Sequence, residues 1–293
     1  MLNAQGIVAR ERGSHDAVAL SFAHALAREL AENRVQLPGF PKVAMHVQRM
    51  LADEDVTPVR VVRAVGAEPV LAGRIVQCAN SVIFNPSGKP VLDLRTAIAR
   101  VGLDFVRTLT ISFAVKQLQA APALRAIEPQ LHALWVRSVT VSTLCFVLAR
   151  RVARINADTA LLAGLLHGVG ALYILTRAAG HPRLLADSAA YAAIEREWEA
   201  GIAQALLGSW RVSEAILDAI GALLRAECEP VGVPGLREVL RAGAVLERAQ
   251  PDLCAAIAAS PACMRLGLSA EGYRMIIEES EAEIAALRGV LGC

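Results

Sequence analysis

A chain of 293 residues is long enough to bury a large core, either as two domains or as one large all-helical one. Alanine, leucine, valine, arginine and glutamate dominate and aromatics are only 4% of the residues, which favours helices packed through small aliphatic side chains over a β-sandwich. Thirty basic against 28 acidic residues leave a net charge of +2, too small a balance to argue for nucleic-acid binding.

Residues 1–14 carry no clear period, and the helical pattern starts at His15 with Val18, Phe22, Ala25, Leu26 and Leu30 on one face. Leu37-Pro38-Gly39-Phe40-Pro41 breaks the chain, and a second helix from Lys42 to Ala52 stops at Asp53-Glu54-Asp55. Thr57-Pro58 supplies a hydroxyl N-cap and a proline at the first helical position, and Gly66 stands as the C-cap of the helix that follows. Glu68-Pro69 opens a helix to about Ser81. Asp93 caps the next, Gly102 interrupts it, and Leu103-Asp104 begins one that reaches Gln119. Ile98, Val101 and Phe105 read as one buried face.

Ala120-Ala121-Pro122 marks the subdomain boundary, giving an extension with one helix (1–34), an N-terminal helical subdomain (35–120) and a bundle with C-terminal helices (121–293). In the bundle, helices are expected over 129–154, 157–177, 182–207, 213–227, 236–249 and 269–291, the last with Ser269 ahead of Gly272 and so without a full capping box. No stretch reads as a strand, so the fold class is all-α.

The six cysteines have no C-x-x-C spacing and read as reduced, small core residues, as in Leu144-Cys145-Phe146 and Leu253-Cys254-Ala255. Thr159 to Thr176 contains no Asp, Glu, Lys or Arg, close to the roughly 17-residue minimum for a membrane helix. Its histidine and three glycines, with Asp158 and Arg177 just outside, favour a buried core helix, so no membrane span is expected. No export signal is visible and the cytoplasm is the expected location. There is no P-loop, G-x-S-x-G elbow, H-E-x-x-H or dinucleotide fingerprint. Gly164-x-x-x-Gly168 and Gly168-Val169-Gly170 lie inside a helical pattern and read as close-packing positions.

Leu165-Leu166-His167-Gly168 remains open to two readings. It is an ordinary helix kink, or a His-Asp metal motif whose aspartate is gone. Three further segments bear on the choice. Leu37 to Ala44, followed by an acidic turn and Val61 to Val65, resembles the opening of the HDOD domain, a relative of the HD phosphohydrolases. Glu68 to Ser81, ending Ala79-Asn80-Ser81, resembles that family's "DP-x-L … A-N-S" segment, and Asp93 to Leu103 its "A-(I/V)-x-x-L-G" segment. Leu134-Trp135 and Leu162 to His167 are similar to its HD-like half, so the resemblance runs over about residues 35 to 230 and implies an HD-domain-like helical bundle with an N-terminal helical subdomain.

An HD phosphohydrolase holds one or two divalent metals with several histidines and carboxylates, generating a hydroxide nucleophile for in-line displacement at phosphorus. The resemblance places its first histidine at Arg137, its His-Asp doublet at His167-Gly168, a later histidine at Glu199 and a histidine pair near Leu223-Leu224. No histidine occurs between residues 182 and 293. What it implies is a module with a relic pocket of Arg137, His167, Gly168 and Glu199, weakly cationic through Arg137 and His167 with Glu199 as balance. No catalytic residue, bound metal or cofactor is expected.

Asn80 and Ser81 read as a local hydrogen-bonding or interaction motif. The expected function is a non-catalytic bacterial signal-transduction module acting through protein contacts, across the groove between the two bundles. Its partner is a signalling protein, and the 55% apolar content leaves room for a homodimer. Only one helix fits ahead of residue 35, which favours a stand-alone module. The alternatives are a divergent metal-dependent phosphohydrolase and a binding module for a nucleotide second messenger built on Arg100, Arg107 and Arg137.

Overall fold

The computed structural model describes residues 4–37, 40–51, 53, 55–227, 232–249 and 252–292, with side chains from Ala17 onward. Pro38, Gly39, Ala52, Glu54, Cys228 and Cys293 lie outside the described residues, and with them parts of the first turn and of the acidic stop signal. Within them every regular element is helical: α1 Ala4–Ala31, α2 Lys42–Leu51, α3 Pro58–Gly66, α4 Pro69–Ala79, α5 Leu94–Val101, α6 Leu103–Gln119, α7 Glu128–Leu148, α8 Ala157–Leu166, α9 Val169–Ala178, α10 Pro182–Ala186, α11 Ser188–Ser209, α12 Glu214–Leu224, α13 Leu236–Glu247, α14 Leu253–Ala259, α15 Pro261–Arg265, α16 Ala270–Glu279 and α17 Glu281–Leu291. A 3-10 turn, Pro122–Ile127, precedes α7, and a π-helical turn, Ala149–Ala153, follows it.

The fold class expected from composition therefore holds, with several corrections at element level. The first helix starts at Ala4, not His15. Gly66 is the last residue of α3, and Ala67 caps it in a right-handed conformation. Ile98, Val101 and Phe105 are all buried but belong to two helices, because Gly102 ends α5 and begins α6 at φ +82°, a conformation that favours glycine. The patterns read as single helices over 157–177, 182–207 and 269–291 are each two helices, broken at His167-Gly168, Asp187 and Ser280. The helices α14 and α15 have no counterpart among the predicted elements.

Helices α2 to α6 pack on one another, and α6 carries that unit onto α8. Buried on nearly every face, α6 must satisfy its own hydroxyls. Thr108 and Thr110 donate back to the carbonyls of Asp104 and Val106, and Ser112 donates to the Leu291 carbonyl at the end of α17, 2.9 Å away. In the larger unit α7 lies against α8, α13 and α17, while α11 lies against α9, α12 and α1. The extension helix α1 is thus part of the second bundle in space. One continuous apolar core runs through both bundles. Along the expected groove between them lies a hollow of about 170 Å³ bounded by Leu37, Phe40, Met45 and Trp210.

Two stretches, Pro122–Ala153 and Ala157–Ala178, are long and apolar enough to cross a membrane by composition, but the second is 94% buried inside the protein and is a core element. Cys78, Cys145 and Cys263 are buried, and burial pushes the Cys78 thiol up to about 12, away from thiolate chemistry. Cys254 corrects the core expectation, being exposed on α14.

Candidate functional site

The break between α8 and α9 is made by a side chain. His167 ends α8, and its Nδ1 lies 2.6 Å from the Gly164 carbonyl oxygen one turn back. A carbonyl can only accept, so Nδ1 carries the proton and Nε2 is left as an acceptor. His167 is only 5% exposed. Gly168 follows with φ −94° and opens α9. Both readings of the motif meet here, since a kink and a relic of a metal doublet occupy the same two residues.

His167 and Gly168 form one wall of a cavity of about 250 Å³. Arg137 reaches it from α7, Glu195 and Glu199 from α11, Leu223 and Leu224 from α12, and Arg248 from the end of α13. All four residues expected in the relic pocket are therefore brought together, along with the leucine pair that the resemblance put in place of two histidines. Glu195 and Arg248 were missed. Glu195 stands four residues before Glu199 on one helix and so shares its face, a spacing visible in the sequence. A second, more open hollow of about 380 Å³ adjoins the first through Leu134, Arg137, Ala171 and Glu195, and continues past Leu175, Leu185 and Tyr191.

Burial sets the charge states in the pocket. Burial, together with the charge on Arg137, lowers His167 to about 4, although its bond to Gly164 acts the other way, so the imidazole is neutral. Burial first, and then the charge on Glu195, raise Glu199 to about 7, with Arg137 and the Ala171 amide pulling against them. Glu195 is raised by burial as well. Arg137 and Arg248 both lean on one further carboxylate, Glu247, at 3.3 and 3.9 Å. The lining thus sets two carboxylates, Glu195 and Glu199, against the guanidiniums of Arg137 and Arg248 and a neutral ring. The charge expected from His167 is absent because its ring is neutral, and Arg248 brings a second guanidinium to the lining instead.

A metal does not fit this donor set. Among the described residues no three histidine, cysteine, aspartate or glutamate side chains come together in a way that could hold one. Arg137, a permanent cation, stands where the resemblance puts a ligand. The arginines of the second-messenger reading do not converge either. Arg100 donates to the Lys89 carbonyl, Arg107 to the Leu51 carbonyl, and Arg137 pairs with Glu247.

Asn80, exposed at the end of α4, is engaged locally. Its Oδ1 accepts from the Val91 amide at 2.8 Å, while its Nδ2 donates to the carbonyls of Val91 and Val76 at 2.8 and 3.0 Å. One side chain ties the 81–90 loop to the helix before it. Asn80→Ala is expected to cost about 1–2 kcal/mol in chemical denaturation, with faster exchange of the Val91 amide. An unchanged midpoint and protected amide would remove that role. Ser81 lies beside it, half-buried, with its Oγ making no hydrogen bond.

An all-α fold with a cavity beside a histidine at a helix break defines an HD-like helical bundle. The HDOD domain profile matches residues 37–223, and the chain belongs to that family. Among solved structures it is similar to a protein provisionally named a metal-dependent phosphohydrolase from Shewanella amazonensis SB2B, with a TM-score of 0.71 and 23% identity over 92% of this chain and 99% of that one. An HDOD domain protein of unknown function from Geobacter sulfurreducens gives 0.61 and 21% over 91% and 96%. A protein provisionally named a signal transduction protein from Marinobacter aquaeolei VT8 gives 0.60 and 19% over 96% and 67%. At these identities the likeness is one of fold. No curated protein matches the chain.

Proposed function

We propose that the chain is a non-catalytic signal-transduction module of the bacterial kind, which keeps the HDOD scaffold without hydrolytic chemistry and acts in the cytoplasm through contacts with a signalling protein. One observation carries this. The positions at which the resemblance puts further metal ligands, Arg137, Gly168, Glu199, Leu223 and Leu224, line the same cavity as His167, and among them only Glu199 bears a metal-binding group. A catalytic metal centre needs about three protein ligands and an open position, and a guanidinium among them opposes the cation.

The test uses the intact chain incubated with manganese, iron(II) or zinc and then desalted. Metal analysis is expected to find no stoichiometric ion, and hydrolysis of bis-p-nitrophenyl phosphate to equal the protein-free blank. A bound equivalent of metal accompanied by turnover would overturn the proposal in favour of a divergent phosphohydrolase. A pull-down from native cytoplasm addresses the partner, where enrichment of one signalling protein is the expected result.

A further inference from the structure

The walls of the relic cavity divide by sign. Arg137 and Arg248 reach it from α7 and the end of α13, which pack on each other, while Glu195 and Glu199 stand one turn apart on α11, which packs on α9 and α12. The two walls act on each other without touching. The charge on Arg137 is felt by Glu195 and Glu199, yet neither carboxylate forms an ion pair among the described residues. On the basic wall both arginines turn Nε toward Glu247, which does not line the cavity, and neither guanidinium donates a hydrogen bond among the described residues. An arginine carries five N–H donors, so the Nη groups of both remain for a ligand.

Opposite charges held apart in a part-buried space stay uncompensated unless something between them carries both signs. Water does this at little gain, and the adjoining hollow selects further. It shares Leu134, Arg137, Ala171 and Glu195 with the cavity and runs on past Leu175, Leu185 and Tyr191. A doubly charged end between the two walls and an aliphatic stem along that hollow describe one kind of ligand.

We infer that the relic cavity binds a free α-amino acid with an aliphatic side chain, its carboxylate against Arg137 and Arg248, its ammonium against Glu195 and Glu199, and its side chain along Leu175 and Leu185. The lining carries two groups of each sign, so the ligand it complements has no net charge. Both charges must also sit at one end of the ligand. A free α-amino acid meets that condition, whereas a peptide carries its termini at opposite ends. A phosphate or a simple amine answers one wall and leaves the other uncompensated. Glu199, raised to about 7, is charged in part at neutral pH, and an ammonium beside it favours the charged form. The inference goes beyond the signalling proposal, since it assigns a ligand and not a partner. Its failure would leave the metal and hydrolysis results untouched, and the reverse also holds.

The experiment is a calorimetric and thermal-shift titration of the intact chain with L-leucine, with L-leucinamide, which lacks the carboxylate, and with 4-methylpentanoate, which lacks the ammonium. Leucine is expected to bind saturably and about tenfold or more tighter than either analogue, each of which forgoes one charge-assisted contact. At about ten times its dissociation constant it is expected to raise Tm by roughly 2–5 °C. Glu195→Gln and Arg248→Gln, one from each wall, are each expected to weaken leucine binding about tenfold. The Arg248 side chain is 66% exposed, so its replacement leaves folding intact and keeps the test usable if the Glu195 variant does not fold. No saturable binding of leucine below about 10 mM overturns the inference. So does either analogue binding as tightly as leucine, or leucine binding that the variants leave unchanged.

Discussion

Gly164→Ala is expected to destabilise the protein by about 3 kcal/mol, lowering Tm by roughly 6–12 °C. Gly164 faces α7, and a Cβ there would lie 2.5 Å from Ser142 Cα, 2.8 Å from its nitrogen and 3.1 Å from the Val141 carbonyl carbon. Every one of these is a backbone atom, so no side chain can swing aside. The helices must separate along their length, and Ser142 Oγ, which donates to the Leu161 carbonyl at 2.7 Å, would be pulled from its acceptor. Gly73→Ala is the control. Nothing lies within 4 Å of a Cβ at Gly73 in α4, so alanine there is expected to stabilise by about 0.5–1 kcal/mol through lost chain entropy. Equal effects from the two substitutions would refute close α7–α8 packing.

The second large effect concerns pH. His167 is lowered from 6.5 to about 4, so it contributes stability that is present above pH 6.5 and is lost as pH falls through about 4. Glu199 is raised from 4.5 to about 7, so its contribution is present below pH 4.5 and is lost as pH rises through about 7. Over the shared interval the slopes oppose each other, and the intact chain hides both. Substitution should expose them one at a time. Relative to the parent, His167→Gln is expected to gain about 2–3 kcal/mol between pH 6.5 and 4. Glu199→Gln is expected to gain a similar amount between pH 4.5 and 7, in the opposite direction along the pH axis. Urea denaturation at half-unit pH steps measures both. Parallel difference curves, or flat ones, would show that neither group is held away from its ordinary charge state.

Much of the helical plan was legible because it is written locally. Thr57-Pro58, Asp93 and Ser269 mark helix starts, and Asp93 and Ser269 accept from the amides of Thr96 and Gly272 as capping residues do. The break at His167 was legible only as one of two readings, a kink or a damaged metal motif. No Asp, Glu, Lys or Arg occurs from Thr159 to Thr176, so no charged residue marks where the backbone turns. The break depends on one imidazole bonding to its own helix. The helices α14 and α15 were missed although Asp252 and Ser260 cap them in the ordinary way. They are short enough that no apolar period develops. Arg137, His167, Gly168 and Glu199 followed from the resemblance, but Glu195 and Arg248 did not. Their place in the cavity depends on how α11 and the end of α13 pack around it, a consequence of tertiary packing.

The hydrogen bond from Ser112 to Leu291 joins residues 179 positions apart in the chain. During synthesis α6 leaves the ribosome long before α17 exists, so its buried hydroxyl and the apolar surface around it wait uncovered until α17 has been made. The first bundle can collapse on its own schedule but cannot be sealed on it. A nascent chain stalled short of α17 would present that open face to chaperones and to other copies of itself, whereas the finished protein hides it.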